Sequence, residues 1–149
     1  MDLPGSLLFA CNLNAVRSPM AEAIAKHLAG DRVYVDSAGV RTGEFDGFAV
    51  AVMAEIDIDL SRHNPKSFDD LEDSSFDLIV SLTPEAQHKA VEMTRTMACE
   101  VEYWPTFDPT ITQGSRERIL ESYRDVRDGL FQRIRARLLN DGNGGGPGG

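Results

Sequence analysis

Residues 6–20 read SLLFACNLNAVRSPM and place a cysteine, five further residues and an arginine between an apolar run and a helical pattern. The apolar run is typical of a buried parallel strand. Pro19 is favoured in a first helical turn, and Met20, Ile24 and Leu28 recur at helical spacing. The segment therefore predicts a strand, a tight loop and a helix in direct succession.

Strand and helix patterns alternate along the rest of the chain, which indicates a parallel sheet with right-handed crossovers. We expect an α/β fold of three layers, in which a doubly wound, four-stranded parallel sheet in the flavodoxin-like order 2-1-3-4 carries helices on both faces. The predicted strands are residues 6–10, 32–36, 78–82 and 100–104. The predicted helices end at residue 29, cover 48–55 and 84–95, and finish with a long amphipathic helix that buries Ile119, Tyr123, Val126, Leu130, Ile134 and Leu138.

Length and charge limit the class of protein. The chain has 149 residues, which suits one domain, placed here at residues 1–139. The glycine-rich remainder, residues 140–149, is expected to be a disordered tail. A net charge of −9 argues against a nucleic-acid partner, and no apolar run approaches the roughly 20 residues that span a bilayer. We therefore expect a cytoplasmic protein with no membrane partner.

The loop after the first strand has the chemistry of an oxyanion site. Backbone N–H groups of such a loop and of the following helix N-terminus converge on one point and favour negative charge there. Cys11 lies at its floor, where a thiolate nucleophile is expected. Arg17 can bind two phosphoryl oxygens at once through its planar guanidinium. The expected phosphate-binding residues are Asn12, Leu13, Asn14, Ala15, Val16, Arg17 and Ser18.

Several motifs resemble those of one enzyme family. They are CNLNAVRSPMAEA at residues 11–23, DSAG at 36–39, DLSRH at 59–63, FDLIV at 76–80 and the pair Asp108-Pro109. On these residues the sequence resembles the low-molecular-weight protein tyrosine phosphatase family, which includes the thioredoxin-coupled arsenate reductases. The resemblance implies a cysteine-dependent phosphomonoesterase that forms a cysteinyl-phosphate and needs no metal and no organic cofactor. Its substrate is then a phosphorylated protein or a small phosphomonoester, with phosphate or another oxyanion held in the loop.

The resemblance also implies catalytic roles for three residues. Cys11 is the nucleophile, and Arg17 binds the phosphoryl group and stabilises its charge. Asp108 is the general acid that protonates the leaving group, although an Asp-Pro pair taken alone is more often a turn. The same carboxylate then serves as the base that activates water.

Four residues are expected to support the loop: Asn14, Ser18, Ser37 and His63. Asparagine tolerates a left-handed backbone, and its amide can tie the loop to Ser37 or His63, as in the family's network of an asparagine, a serine and a histidine. Ser18 can donate its hydroxyl to the thiolate, or it can cap the helix. For His63 the alternative is a surface histidine beside Arg62.

The sequence departs from the family pattern in two places. Leu13 stands where the family usually has glycine, and Val16 where it usually has a second cysteine. Thr110 and Ile111 stand where tyrosine phosphatases of the family usually have an aromatic wall, so the sequence does not predict a preference for phosphotyrosine.

Three further expectations concern residues away from the loop. Trp104 and Phe107 are expected to be packing residues near a strand end, and the alternative is that they supply aromatic contact to the substrate. The arginines of the C-terminal helix are expected to lie on a solvated face, with i,i+4 carboxylate partners such as Glu117 and Glu121. Cys99 is expected to be an inert core thiol.

Two alternative functions stay open. Arsenate reduction needs a relay of two further cysteines after the third strand, where this chain has Leu82-Thr83-Pro84, and its one other cysteine is Cys99. A pseudophosphatase would bind phosphate or a phosphoprotein without turnover, and its Cys11→Ser variant would bind similarly. The oligomeric state is not predicted.

Overall fold

The computed structural model describes residues 3–72 and 75–139, so the predicted glycine-rich tail at 140–149 lies outside the described residues. The strands described are β1 (Ser6–Cys11), β2 (Tyr34–Gly39), β3 (Leu78–Ser81) and β4 (Glu100–Tyr103). They form one parallel sheet in the order β2-β1-β3-β4, which confirms the predicted order. The α-helices are α1 (Arg17–Ala29), α2 (Gly47–Ala54), α3 (Pro84–Met93) and α4 (Arg116–Leu139), and short 3-10 helices cover Phe68–Asp70 and Pro109–Ile111.

Helices cover both faces of the sheet, as predicted. Side chains alternate along β1 with the period of two that a strand imposes. Those of Leu7, Phe9 and Cys11 belong to a core shared with α1, α2 and α4, whereas Leu8 and Ala10 belong to a smaller core with α3. Cys11 therefore ends β1 on the face that α1 covers, at the carboxyl edge of the sheet.

The predicted bounds of β2 are wrong. The sequence places this strand at 32–36, whereas the structure has it at Tyr34–Gly39. Ser37 and Gly39 are small or polar and look typical of a loop, but they pair in register with Phe9 and Cys11. The other predicted ends differ by one or two residues: β1 ends at 11, α2 covers 47–54, β3 ends at 81, α3 ends at 93 and β4 ends at 103.

The long C-terminal helix packs as predicted along its apolar side. Five of its six predicted core residues are buried, and Ile119 is half-buried. The expectation for its arginines is wrong at Arg127. This residue is only 8% exposed and donates to the Val52 carbonyl at 2.8 Å and to Glu55 at 2.8 Å. Arg124 binds Glu117, one of the expected partners, at 2.6 Å, and also Glu55 at 2.9 Å.

These contacts stabilise the C-terminal end of α2, which has no basic residue in its own last turn. The last carbonyls of a helix lack intrahelical partners and favour a cation. Arg127 supplies that cation from α4. At the other end of α2, Asp46 accepts from the N–H groups of Phe48 and Ala49, and Tyr123 of α4 donates its hydroxyl to the same carboxylate at 2.8 Å. Helix α4 therefore fixes both ends of α2.

Within the described ranges, none of the helices is long and apolar enough to cross a bilayer.

Replacing Glu55 with glutamine should make the free energy of unfolding depend less on pH in acid. Hydrogen bonds from Arg124 and Arg127 lower the pKa of Glu55 from 4.5 to about 2. The unfolded chain therefore binds a proton first as the pH falls, so the contribution of Glu55 is present above pH 4.5 and is lost as the pH falls through about 2. The measurement is urea unfolding between about pH 5 and about pH 2.

The free energy of unfolding should fall more steeply with acid in the unmodified chain than in Glu55→Gln. Glu100→Gln, which removes an exposed carboxylate from β4, is the matched control and should follow the unmodified chain. Parallel curves for the unmodified chain and Glu55→Gln would contradict the prediction.

Candidate active site

The loop of residues 12–16 connects Cys11, the last residue of β1, to Arg17, the first residue of α1. The chain after β2 runs beside this loop. Its N–H groups bond to the loop in three places: Val40 to the Cys11 carbonyl, Arg41 to Asn12 and Gly43 to Leu13. The loop is therefore held at the carboxyl edge of two neighbouring strands.

The sulfur of Cys11 lies between two donors. Ser18 Oγ is 2.9 Å from Sγ, and the Asn14 N–H donates to Sγ at 3.3 Å. Ser18 Oγ also accepts a hydrogen bond from the Asn14 amide, so its own hydrogen is left for the sulfur. Because Ser18 is fully buried and makes no capping bond, the alternative role as a helix cap does not apply.

Asn14 is the centre of the hydrogen-bond network. Its φ of 53° is left-handed, and its side chain is fully buried. The amide nitrogen donates to Ser18 Oγ and Ser37 Oγ, both at 2.9 Å. The amide oxygen accepts from the Lys66 N–H at 2.9 Å and from His63 Nε2 at 3.1 Å. All four hydrogen-bonding positions of this amide are therefore occupied.

His63 is held against the loop and does not lie free on the surface. Its Nε2 is 3.0 Å from the Asn14 carbonyl and 3.1 Å from Asn14 Oδ1. Both are acceptors, so Nε2 carries the hydrogen. Burial lowers the pKa of His63, which favours the neutral ring with its hydrogen on Nε2 at neutral pH.

Two supporting residues are missed by the sequence reasoning. Glu22 accepts from Ser37 Oγ and from Lys26, which extends the network by one helical turn. Thr83 donates to Asn12 Oδ1 at 2.6 Å and also caps α3. Two sequence features could have identified them. Glu22 lies four residues after Ser18 on the same helix, and Thr83 precedes a proline at the carboxyl end of a parallel strand, where a helix cap is expected.

Backbone donors in the loop are available to an anion. The N–H groups of Leu13, Ala15 and Val16 have no acceptor within the described part of the chain. Arg17 begins α1 directly after them. This arrangement of unpaired donors before a helix N-terminus is favourable for phosphate.

The two unusual loop residues are accommodated by packing. Leu13 has no positive φ, so the backbone does not require glycine at this position. Its side chain packs over Gly43, where a Cβ would lie only 2.8 Å from Leu13 Cβ. Val16 is 6% exposed and belongs to the main core. The glycine that gives room to this loop therefore lies at position 43.

Arg17 connects the loop to the segment that carries Asp108. Its NH1 donates to the Thr106 carbonyl at 3.0 Å, and its NH2 is 3.9 Å from Asp108 Oδ2. The other carboxylate oxygen of Asp108 accepts from the N–H and the hydroxyl of Thr110 at 3.0 and 2.7 Å. Thr110 therefore orients Asp108 and leaves Oδ2 directed to the arginine.

The aromatic surroundings differ from the prediction at one residue. Trp104 is 5% exposed and packs on Phe9, as expected for a packing residue. Phe107 is 56% exposed, so its assignment as a packing residue is wrong. It lies in the turn between Trp104 and Asp108, where the core does not reach. Ile111 is 65% exposed beyond Asp108.

Cys99 lies far from the loop. Strand register places Cys99 five residue steps before Cys11 along the sheet, which is roughly 16 Å in addition to the separation across strands. A disulfide needs Cα atoms within about 7 Å. Cys99 is half-buried, and burial raises the pKa of its thiol. Among residues 3–72 and 75–139, no group of three or more acidic, histidine or cysteine side chains could hold a metal ion.

Substitution of Asn14 should separate the contribution of its side-chain hydrogen bonds from that of its left-handed backbone. Asn14→Gly keeps a backbone that tolerates positive φ but loses the amide bonds, at an expected cost of about 2–4 kcal/mol in unfolding free energy. Asn14→Ala loses the same bonds and adds left-handed strain, and it should be less stable than the glycine variant by about 1 kcal/mol. Urea unfolding measures both. Equal stability of Asn14→Ala and the unmodified chain would contradict the network.

Comparison with known proteins agrees with this geometry. A family model described as Low molecular weight phosphotyrosine protein phosphatase matches residues 6–142. An arsenate reductase of Bacillus subtilis (strain 168) is 33% identical over 129 residues, which cover 87% of this chain and 91% of that protein.

Two solved structures are similar over almost the same length. A low molecular weight protein tyrosine phosphatase from T. tengcongensis has a TM-score of 0.71 at 26% identity, covering 87% of this chain and 94% of that chain. An arsenate reductase in a phosphate-binding state has a TM-score of 0.68 at 26% identity, covering 89% and 95%. On these similarities, the chain belongs to the low molecular weight phosphotyrosine protein phosphatase family, and it is an enzyme.

Proposed function

We propose that the chain is a cysteine-dependent phosphomonoesterase that works through a cysteinyl-phosphate on Cys11. One observation carries the proposal: Cys11 Sγ accepts from Ser18 and Asn14 inside a loop in which the N–H groups of Leu13, Ala15 and Val16 have no acceptor in the described chain. A thiolate and a phosphoryl group can both be stabilised there. The proposed substrate is a phosphorylated protein or a small phosphomonoester, in the cytoplasm.

The first step transfers the phosphoryl group to sulfur. A lone pair of the Cys11 thiolate attacks phosphorus in line, and the bond from phosphorus to the leaving oxygen breaks. Asp108 donates its proton to that oxygen, which leaves as an alcohol or phenol. Arg17 binds two equatorial phosphoryl oxygens and stabilises the charge that develops on them.

The second step releases phosphate. Asp108, now a carboxylate, takes a proton from water as the water oxygen attacks phosphorus. The bond between sulfur and phosphorus breaks, and its electron pair returns to Cys11. The Ser18 hydroxyl, directed to the sulfur by Asn14, stabilises the departing thiolate. The residues Asn14, Ser37 and His63 are proposed to hold the loop in place and take no part in bond making.

Arsenate reduction is the second candidate, favoured by the similarity to arsenate reductases. A cysteine relay would have to pass through Cys99, which the sheet places at the opposite edge from Cys11. Cys11 therefore has no thiol of this chain in reach for a disulfide, and phosphate ester hydrolysis is the function that the site supports better.

Hydrolysis of aryl phosphates should depend on Cys11 and, according to the leaving group, on Asp108. Cys11→Ser should abolish turnover, because serine is a much weaker nucleophile. Asp108→Asn should lower kcat by about 10²–10⁴ for phenyl phosphate and less for 4-nitrophenyl phosphate, whose leaving group needs little protonation. Steady-state rates with a chelator present measure both effects.

Asp31→Asn removes an exposed carboxylate from the opposite edge of the sheet and serves as the matched control, with unchanged rates expected. The cysteinyl-phosphate mechanism is excluded if Cys11→Ser retains the rate of the unmodified chain. Phosphate or vanadate binding without any turnover would instead support the pseudophosphatase.

Arsenate should not be reduced through a thioredoxin-coupled cycle. With thioredoxin, its reductase and NADPH present, arsenate should cause no NADPH consumption above the rate seen with Cys11→Ser, because the relay cysteine is out of reach. Arsenate-dependent NADPH consumption that Cys99→Ser abolishes would contradict this prediction.

A further inference from the structure

A groove with a volume of 740 Å³ lies beside the proposed active site. One wall is the segment from Trp104 to Phe107, and the other is α4. The floor is apolar: Trp104, Val126 and Leu130 line it and are 4–6% exposed. This volume is within the range of about 300–1,000 Å³ that ligand sites usually have.

Gly129 keeps the groove open in the middle of α4. Glycine is a poor residue for a helix interior, so its presence there calls for a reason. A Cβ at this position would meet nothing within 4 Å, which means that packing against the rest of the described chain does not require glycine. What the missing side chain provides is space on the groove side of the helix.

The charges along this face of α4 favour a cation at its centre. Glu121 and Asp125 line the middle of the groove; Glu121 lies 3.9 Å from Arg124, whereas Asp125 makes no ion pair with the described residues. The two arginines that line the groove stand nearer its ends, and Arg133 stacks on the Trp104 ring at 4.7 Å. Asp125 lies one helical turn before Gly129, so a carboxylate stands beside the open space.

The groove is continuous with the residues that carry out the chemistry. The Thr106 carbonyl accepts from Arg17, and Phe107 precedes Asp108. Phe107 is 56% exposed and forms the outer edge between the groove and the loop. A polypeptide whose phosphorylated residue sits over Cys11 would therefore pass this edge.

We propose that the groove binds a lysine or arginine side chain of a phosphorylated protein substrate, located close in sequence to the phosphorylated residue. The inference rests on the proposed function. The aliphatic stem of the basic side chain packs over Gly129 and Val126, and its charged head reaches Asp125 and Glu121. The net charge of −9 also favours approach of a basic segment.

Phosphotyrosine peptides test the groove through kcat/KM. The series differs in one residue, arginine or glutamate, moved one position at a time along either side of the phosphotyrosine. At the position that reaches the groove, arginine should exceed glutamate by about three- to tenfold, as one partly exposed ion pair with a buried stem allows. Asp125→Lys should reverse this preference, and Gly129→Leu should remove it by filling the groove.

Matched variants show whether these effects belong to the groove. Asp31→Lys makes the same charge change outside the groove lining, and Ala54→Leu adds an apolar side chain at an exposed position of α2, also outside that lining. Both should keep the arginine preference, and all four variants should hydrolyse an aryl phosphate at the unmodified rate. Absence of a preference at every position, or its persistence in both Asp125→Lys and Gly129→Leu, overturns the proposal.

Trp104 reports groove occupancy without catalysis, because it is the one tryptophan in the chain. Titration with the unphosphorylated arginine peptide should change its fluorescence saturably in the unmodified chain and not in Gly129→Leu. If aryl phosphate is not hydrolysed, the proposed function fails and this titration alone decides on the groove. A saturable change that Gly129→Leu abolishes supports it, and no change in the unmodified chain overturns it.

Discussion

The side-chain amide of Asn14 holds together parts of the chain that are distant in sequence. Its nitrogen donates to two hydroxyl oxygens, Ser18 and Ser37, and so decides where their own hydrogens go. Ser18 is left to donate to Cys11 and Ser37 to donate to Glu22. One buried amide thus fixes which hydroxyl donates to which acceptor throughout the network. An unpaired polar group at any of these buried positions would lower the stability of the fold.

A second constraint acts through Arg17. Its guanidinium donates to the Thr106 carbonyl and lies 3.9 Å from Asp108. The residue proposed to bind the phosphoryl group is therefore also the contact that positions the proposed acid. Helix α4 also holds the segment that follows Asp108, because the Thr112 hydroxyl lies 2.7 Å from the hydroxyl of Ser122 in α4. Phosphoryl binding, acid position and the groove along α4 are linked by one short stretch of chain.

The fold was largely predictable because its signals are local. Apolar runs, caps and the loop from Cys11 to Ser18 determine the elements, and the parallel order follows from their alternation. The contacts that sequence reasoning missed join residues far apart in the chain. Arg127 binds Glu55 across 72 positions, and Thr83 binds Asn12 across 71. No periodicity encodes such pairs, because each depends on which helix ends and strand ends the topology brings together.

The sequence pattern also mispredicted whether two side chains are buried, because their burial depends on contacts with distant parts of the chain. Ser37 looks like a loop residue, yet it is fully buried in β2 because its hydroxyl has both a donor and an acceptor. Phe107 looks like a core residue, yet it is 56% exposed because it lies in the turn between Trp104 and Asp108, where the core does not reach. In both cases the position in the fold decides exposure, and the hydrophobic pattern does not.

The departures at Leu13 and Val16 are changes in packing, and they leave the loop's donors and the proposed nucleophile in place. Gly43 gives Leu13 the room that a glycine in the loop would otherwise provide, and Val16 fills the core. Neither change moves a group that contacts the Cys11 sulfur, so they give no physical reason for lost turnover. What Val16 removes is a neighbouring thiol, and Cys99 at the far edge of the sheet cannot replace it. The loop therefore has the donors and the thiol that the proposed phosphoryl transfer requires, and no second thiol of the chain lies in reach for a disulfide.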